Sequence, residues 1–326
     1  MLKKKYLVTV FMSLFLVGCL FGTPAIAKNK YKITVAVHGS KTDPFWIPVQ
    51  RGVNDAAAHY PDLEVVYTGT DVYSLDAVLT NLQLALMSKP DALVCSLVAP
   101  EFMDDLLRPA IADGLPVIAI NSADMRPKED QIPILTYIGE DSYQIGITAA
   151  EETLKRFTPK RALFVHHHFG AANIEARGQG WVDAMEKNGI PAAQVNATAD
   201  DMGKSAQIVA AYLLTHPDTD AIFINNIPGA QTTISRLEAD RYKAGKDIKF
   251  AQMDLDPVLL DYIENDKIMF TMDQQPYLQG YLGVMFAYLH VKYGIIPPPA
   301  PLSTGPGIIT KEKIPELLEL SKQGIR

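Results

Sequence analysis

The stretch VAVHGSKTDPFW, residues 35–46, joins an apolar run to a polar loop and two adjacent aromatic residues. Its apolar run lies within KITVAV, residues 32–37, which is rich in β-branched residues and predicts a strand. A helical pattern follows at residues 48–60, where Val49 and Val53 recur at four-residue spacing. The stretch is therefore a predicted strand-to-helix connection, and its residues are compatible with a catalytic, a binding or a structural role.

The same alternation of short apolar runs and helical stretches continues along the chain. EVVYT, DALVCSL and LPVIAIN are the next strand candidates, and the pattern restarts after MRPKEDQIP with ILTYIG and RALFVHH. AQVNA, DAIFINN, IKFAQMD and IMFTMDQ complete the second series. Repeated strand–helix alternation indicates parallel sheets wound by right-handed crossovers. Two such series predict two doubly wound α/β domains.

The first 27 residues have the pattern of a secretory signal peptide. Three lysines precede a long apolar run that ends in Ala-Ile-Ala, a small-x-small cleavage site. The segment LVGC, residues 16–19, also fits the lipobox of bacterial lipoproteins, in which Cys19 is lipidated. Both interpretations predict that the mature protein works outside the cytoplasm, tethered to the membrane if Cys19 is lipidated.

The charge and the cysteine content exclude some classes of partner and bond. The chain of 326 residues has a formal net charge of −7, and the leader contributes lysines but no acid, so the rest is more acidic still. This balance argues against a nucleic-acid partner. Cys95 is the one cysteine beyond the leader, so no internal disulfide forms, and its apolar surroundings predict a buried thiol.

Polar residues collect where the predicted strands end, which is where open parallel sheets bind ligands. The residues that follow the strands are His38, Gly39, Asp43, Phe45 and Trp46; Asn121, Ser122 and Asp124; His166, His167, His168 and Phe169; Asn225 and Asn226; Asp254 and Asp256; and Asp273, Gln274 and Gln275. Carboxylate and amide groups suit vicinal hydroxyls, and flat aromatic faces suit the C–H face of a sugar ring. The sequence therefore predicts a ligand cleft between the two domains.

No catalytic or cofactor pattern competes with this prediction. There is no nucleophile paired with a base at a recognisable spacing, and no glycine-rich phosphate loop. Successive side chains of an extended segment point to opposite sides, so the three histidines 166–168 are poorly placed to chelate one ion. Either one of them lines the cleft, or they form a plain loop. We expect no enzyme activity, no cofactor and no metal.

The segment NIEARGQGW, residues 173–181, places an arginine early in a predicted helix after a polar loop. Arg177 there would aim its guanidinium into the cleft, where its fixed fork of donors suits two neighbouring hydroxyls or a carboxylate. The alternative is a surface arginine in the first helical turns.

Several motifs together resemble a known family. These motifs are DPFW, GLPVIAIN, YIGEDSYQIG, EARGQGW, LLTHPDTDAIFINN and TGPGIITKEKI, in this order along nearly the whole mature chain. The chain resembles the type I periplasmic sugar-binding proteins of ABC importers, the ribose- and galactose-binding group. The resemblance implies two α/β domains joined by a three-stranded hinge, one at residues 28–139 plus 275–304 and the other at 140–274 plus 305–326.

The resemblance also implies which residues contact the ligand. They are Asp43, Phe45, Trp46, Asn121, Ser122, Asn173, Arg177, Asn226, Asp254 and Gln274, with Phe45 and Trp46 stacking on the ring. Ribose-binding relatives carry Asp-Arg where this chain has Asn121 and Ser122, which is a departure from the pattern for ribose. No aromatic residue stands near residues 200 and 201, where some relatives stack on the second ring face. His38, His166 or Phe169 are candidates to replace it.

The resulting hypothesis is an exported, monomeric solute-binding protein for a monosaccharide, polyol or similar hydroxylated molecule, with an ABC permease as its partner. The alternative is a sensory module that presents a sugar-like signal to a chemoreceptor or kinase.

Overall fold

A computed structural model of the protein describes residues 30–40, 42–168, 170–198 and 201–326. The strands are β1 (Tyr31–Ala36), β2 (Leu63–Thr68), β3 (Ala92–Cys95), β4 (Val117–Ile120), β5 (Thr136–Gly139), β6 (Ala162–His166), β7 (Ala192–Asn196), β8 (Ala221–Ile224), β9 (Lys249–Met253), β10 (Ile268–Asp273), β11 (Leu302–Ser303) and β12 (Gly307–Ile309). The helices are α1 (Trp46–Ala58), α2 (Leu75–Met87), α3 (Pro100–Ala112), α4 (Ser142–Leu154), α5 (Ala172–Lys187), α6 (Met202–Thr215), α7 (Ile227–Ala239), α8 (Pro257–Glu264), α9 (Pro276–Tyr293) and α10 (Ile314–Lys322). The elements follow the alternation expected from the sequence.

The strands form two six-stranded sheets with the same internal order. The first sheet runs β11-β5-β4-β3-β1-β2, and the second runs β12-β10-β9-β8-β6-β7. All paired strands are parallel except β12, which runs antiparallel to β10 at the edge of the second sheet. We call the half of the molecule built on the first sheet the first lobe, and the half built on the second sheet the second lobe. The predicted fold class of two α/β domains is confirmed.

Each sheet is covered by helices on both faces, so each lobe has two apolar cores. In the first lobe, one core lies under α1 and α9, and the other lies under α2 and α3. In the second lobe, α4 and α5 cover one core, and helices α6, α7, α8 and α10 cover the other. Because both faces are buried, the central strands β3, β4 and β8 are continuous apolar runs, as expected for parallel sheets.

The chain crosses between the lobes three times. The crossings lie between β5 and α4, between β10 and α9, and between β11 and β12. We propose the domain limits given above at these three crossings.

The leader, including Cys19, lies outside the described residues. Among the residues that are described, no helix is both long and apolar enough to cross a bilayer.

The helix pair α4 and α5 packs with little space between its backbones. A Cβ added at Gly146 would lie 2.0 Å from the carbonyl oxygen of Arg177, and one added at Gly180 would lie 2.1 Å from that of Tyr143. Glycine is therefore required on both helices for this approach. The contact fixes the position of α5, the helix that carries Arg177.

Replacing Gly146 by alanine should force these two helices apart. We expect Gly146→Ala to lower the free energy of unfolding by about 1–3 kcal/mol, the usual cost of overpacking a core. Urea unfolding followed by circular dichroism measures this change. Gly307→Ala is the matched control, because a Cβ there meets its nearest atom at an ordinary 3.6 Å. Equal stability of the two variants would contradict the prediction.

Candidate ligand-binding cleft

A cavity lies where the carboxyl ends of the strands of both sheets meet. The first lobe contributes His38, Asp43, Phe45, Trp46 and Asn121; the second contributes His167, His168, Asn173, Ile174, Arg177, Asn225, Asn226, Ile227 and Asp254; and Gln274 comes from the second crossing. The space free of protein atoms is about 480 Å³, including the part open to solvent. We call this cavity the cleft.

Trp46 belongs both to the core and to the wall of the cleft. It is the first residue of α1 and is only 2% exposed. Its ring meets His38 and Phe45 edge-on, with ring centroids 4.9 Å and 4.8 Å apart. A Cβ at Gly39 would lie 1.7 Å from the indole Nε1, so only glycine leaves room for this ring position. Trp46 is therefore buried and also lines the cleft, and its stacking on a sugar ring stays a prediction.

Asp43 stands beside this aromatic group. Its carboxylate accepts a hydrogen bond from the backbone N–H of Phe45 at 2.9 Å. Burial raises the pKa of Asp43, and the bond from Phe45 opposes that rise. Asp43 thus offers a poorly hydrated acceptor to a ligand in the cleft.

Arg177 is anchored by side chains from two other elements. One Nη donates to Glu140 Oε1 in a fully buried ion pair, and the other donates to Asn225 Oδ1 at 2.5 Å. The hydroxyl of Ser142 also donates to both oxygens of Glu140, at 3.0 and 3.2 Å. Burial raises the pKa of Glu140, and the nearby Arg177 counteracts that rise. The positive charge of Arg177 is therefore balanced within the protein before any ligand enters.

The histidines take positions that the sequence alone left open. His167 and His168 line the cleft, whereas His166, the last residue of β6, does not. His166 lies beside Phe164 instead, and burial together with Arg177 lowers its pKa to about 4. His166 is therefore not part of the wall of the cleft.

The imidazoles that do line the cleft are kept neutral by their surroundings. Burial lowers the pKa of His38 and His167 well below the usual value, and it lowers that of His168 to about 3. The neighbouring histidines add to each of these shifts. His38 also forms a 2.8 Å hydrogen bond between Nδ1 and Ser96 Oγ, which fixes its ring. At neutral pH the wall therefore offers polar but uncharged rings.

Side-chain and backbone contacts join the lobes across the cleft. Tyr73, in the loop before α2, stacks on His168 with centroids 4.1 Å apart and an interplanar angle of 14°. The backbone N–H of Ala172 donates to the carbonyl of Val98 at 3.2 Å. The structure therefore has the two lobes in contact, and the cleft is enclosed between them. No sequence pattern pointed to Tyr73, because this residue does not directly follow a strand.

Asp254 and Asn121 are linked through Gln274. Gln274 Nε2 donates to Asp254 Oδ1 at 2.9 Å, and Asn121 Nδ2 donates to Gln274 Oε1 at 3.1 Å. Burial raises the pKa of Asp254 to about 8, although Arg177 and Gln274 both act to lower it. At neutral pH the protonated form of Asp254 is therefore well populated, and it can donate as well as accept.

The remaining predicted residues differ in their placement. Asn173, in the first turn of α5, lies in the wall with its Oδ1 buried and unpartnered among the described residues, and Asn226 contacts Met202 Sδ at 3.8 Å. Ser122 does not reach the cavity, because its hydroxyl donates to the carbonyl of Leu97 at 3.0 Å. Phe169 lies outside the described residues.

The ligand contacts implied by the resemblance left out several residues of the wall. Asn225 and His167 form a 3.1 Å hydrogen bond with each other, and Ile174 and Ile227 add apolar surface. Asn225 and His167 stand among the residues that the strand-end rule collected, but that rule could not choose between neighbours. Within the described residues, no group of three or more His, Cys, Asp or Glu has the geometry of a metal site.

Comparison with known proteins assigns the chain to a family. The family described as the periplasmic binding protein domain matches residues 33–294. The chain therefore belongs to the periplasmic binding protein family, and the resemblance drawn from its motifs is confirmed at this level.

Two curated relatives are named for sugars. The chain is 27% identical to the xylose/arabinose-binding protein XylF of Sulfolobus acidocaldarius over 300 residues, which cover 88% of this chain and 73% of that protein. It is 23% identical to the ribose import binding protein RbsB of Bacillus subtilis, across 86% of this chain and 91% of that protein.

Solved structures show the same fold. A carbohydrate transporter from Acidothermus cellulolyticus in complex with myo-inositol matches with a TM-score of 0.81 and 24% identity, covering 91% of this chain and all of that one. A solute-binding protein from Agrobacterium vitis bound to α-D-tagatopyranose matches with a TM-score of 0.77 and 23% identity, over 91% of this chain and 99% of that one.

Removing the partner of Arg177 should destabilise the protein strongly. Glu140→Gln leaves a buried guanidinium without a counter-charge, and we expect a loss of about 3–5 kcal/mol in the free energy of unfolding. Glu186→Gln, at an exposed position of α5, is the matched control and should change stability by less than about 0.5 kcal/mol. Chemical denaturation measures both values. A Glu140→Gln protein as stable as the control would show that the ion pair is dispensable.

The raised pKa of Asp254 predicts a pH-dependent effect of Asp254→Asn. Between the ordinary pKa of 3.8 and the folded value of about 8, the folded protein holds a proton that the unfolded chain has released. Stability at this site therefore falls as pH rises through that window and levels off above it. Asparagine has no such proton, so the melting temperature of Asp254→Asn relative to wild type should increase from about pH 5 to about pH 8. Exposed Asp71→Asn should show no such trend in differential scanning calorimetry, and a flat difference for Asp254→Asn would refute the assignment.

Proposed function

We propose that the protein is an extracytoplasmic solute-binding protein that captures a monosaccharide, polyol or similar hydroxylated small molecule and delivers it to an ABC importer. The observation that carries the proposal is the composition of the cleft, which both lobes line with hydrogen-bonding side chains beside an aromatic wall. The relatives named above are described as sugar-binding or sugar-import proteins. Because their names refer to binding and import, we do not carry the sensory alternative forward.

The charges around the cleft favour an uncharged ligand. Arg177 is already paired with Glu140, so it can donate hydrogen bonds without requiring an anion. The imidazoles of His38 and His168 are neutral at pH 7, and the pKa of Asp254 is raised to about 8. A carboxylate or phosphate would lose its hydration here without gaining an unpaired cation. A ligand with several hydroxyls satisfies the amides and carboxyls at less cost.

Closure is the step that couples binding to delivery. A ligand held by Asp43 and Phe45 of the first lobe and by Asn226 and Asp254 of the second is bound fully only when the lobes meet. It therefore stabilises the closed arrangement through its differential contacts. The permease would recognise the surface that closure forms.

The site has the chemistry of binding rather than of a reaction. Its polar groups bond to one another or face the cleft, and we propose no enzymatic activity and no cofactor. We also propose that the protein acts as a monomer. We expect the leader to be cleaved after Ala27 rather than lipidated at Cys19. Both residues lie outside the described part of the chain, so this stays a prediction.

A panel of sugars tests this function directly. Isothermal titration and tryptophan fluorescence with D-xylose, L-arabinose, D-ribose, D-tagatose and myo-inositol should identify at least one ligand, because Trp46 lines the cleft. Asn226→Ala removes hydrogen bonds worth about 0.5–1.5 kcal/mol each and should weaken binding roughly 2–10-fold. Ser122→Ala should leave the affinity unchanged, since Ser122 does not line the cleft.

Two results would count against the function. One is the absence of any binding across the panel when the protein is folded and free of co-purified ligand. The other is an equal loss of affinity in Ser122→Ala and Asn226→Ala, which would place the ligand elsewhere.

A further inference from the structure

Tyr73 belongs to the first lobe but packs on the second. Its ring lies on that of His168, and it also packs against the apolar core that α4 and α5 cover. His38 of the first lobe meets both rings edge-on, with centroids 5.9 Å from Tyr73 and 6.0 Å from His168. These three residues therefore form one aromatic group that joins the lobes.

This group lies at the side of the sheets opposite the hinge. Tyr73 comes after β2, the outer strand of the first sheet, and His168 comes after β6, next to the outer strand of the second. The three crossings meet at the other side, where Thr304 donates to the carbonyl oxygens of Gly139 and Gln274, both at 2.8 Å. Four strand spacings separate β2 from β5, which is about 19 Å at roughly 4.8 Å each. A rotation about the hinge therefore separates Tyr73 from His168 by more than it moves residues near the crossings.

The loop that carries Tyr73 is fixed on its own lobe. The hydroxyl of Thr70 donates to the carbonyl of His38 at 2.6 Å, and Ser74 caps α2 with its side-chain oxygen. Because both bonds lie within the first lobe, they do not depend on contact with the second. The ring of Tyr73 is thus preorganised for His168, which lowers the entropic cost of bringing the lobes together.

Tyr73 acts on the cleft without lining it. Among the described residues, the wall of the cleft includes His38 and His168 but not Tyr73. Opening the lobes would return the stacked faces of Tyr73 and His168 to water. An aromatic pair changes an equilibrium constant by a factor of roughly 2 to 10, beyond the effect of the area that it buries. The stack therefore favours the closed arrangement whether or not a ligand is bound.

We infer that Tyr73 is a positioning residue that acts as an interlobe latch, because its stack on His168 holds the lobes together before a ligand binds. The latch also fixes the ring of His168, which lines the cleft. A bound ligand then dissociates more slowly, since the stack must separate before the ligand leaves. The inference rests on the proposed function for the role of closure, but the contact itself needs no ligand.

Distances between spin labels on the two lobes test the latch without a ligand. Cys95 is the one cysteine beyond the leader and is buried, so labels attach at introduced cysteines. Asp105→Cys on α3 and Ser235→Cys on α7 change exposed residues of different lobes. Double electron–electron resonance on the mature, ligand-free protein should resolve a closed and an open population. Adding Tyr73→Ala should lower the ratio of closed to open roughly 2–10-fold.

Two variants provide the controls. Tyr73→Phe keeps the ring and should keep the ratio near the wild-type value. Tyr212 stacks on His216 with nearly the same geometry, with centroids 4.2 Å apart and an interplanar angle of 13°, but both residues belong to the second lobe. Tyr212→Ala therefore removes an equivalent stack that does not join the lobes, and it should leave the ratio unchanged.

The kinetics of binding provide a second measurement. Where a panel sugar binds, stopped-flow fluorescence should show that Tyr73→Ala raises the dissociation rate constant roughly 2–10-fold and leaves the association rate constant unchanged. Tyr73→Phe should restore slow dissociation. A loss of affinity confined to association would contradict the latch.

Three results of the distance measurement would overturn the inference. They are a ligand-free wild type without a closed population, a Tyr73→Ala protein with the wild-type ratio, and a Tyr73→Phe protein as open as Tyr73→Ala. A failed sugar panel would leave this measurement in place. Failure of the proposed function and failure of the latch are therefore separate outcomes.

Discussion

The buried ion pair of Arg177 and Glu140 ties the hinge to the cleft. Glu140 stands in the first crossing between the lobes, and Arg177 stands on α5 of the second lobe, so the pair fixes the crossing relative to that helix. Removing either charge would leave the other buried without a counter-charge, in surroundings that solvate it poorly. The close approach of Gly146 to the backbone of Arg177 also holds this helix in place. From Arg177 the network continues through Asn225 to His167, which places these two side chains in the wall.

This arrangement also decides what the cleft can hold. A lone arginine in a closed cavity would select anions, but a guanidinium whose charge is met by Glu140 acts as a set of oriented donors. The same burial that raises the pKa of Glu140 also keeps His38 and His168 neutral and raises the pKa of Asp254. The cleft is thus rich in hydrogen-bonding groups while it remains nearly neutral, as recognition of hydroxyl groups requires.

The order of elements and the position of the cleft could be read from the sequence, because both follow from hydrophobic periodicity and from the geometry of parallel sheets. The choice between neighbouring residues at a strand end could not. Ser122 turns to Leu97 while Asn121 faces the cleft, and His166 turns inward while His167 does not. The direction of each side chain depends on the residue at which its strand ends. A shift of that end by one residue would turn the side chain to the opposite face. Contacts such as Tyr73 on His168 depend on the closure of two lobes and leave no local pattern.

The two lobes have the same strand order, and Gln274 forms hydrogen bonds to equivalent positions of both. Asn121 follows β4 and Asp254 follows β9, strands that hold the same place in the order of their sheets. Both residues have positive φ, 64° and 67°, a conformation that Asn and Asp tolerate better than other non-glycine residues. The amide of Gln274 accepts from Asn121 through its oxygen and donates to Asp254 through its nitrogen, so its two ends require different partners. Exchanging Asn and Asp between these equivalent positions would require the amide of Gln274 to turn over. The hydrogen bond that Gln274 Oε1 also accepts from Gln279 Nε2, at 3.3 Å, opposes that turn, so the difference between the repeats matches the orientation of the side chain that they share.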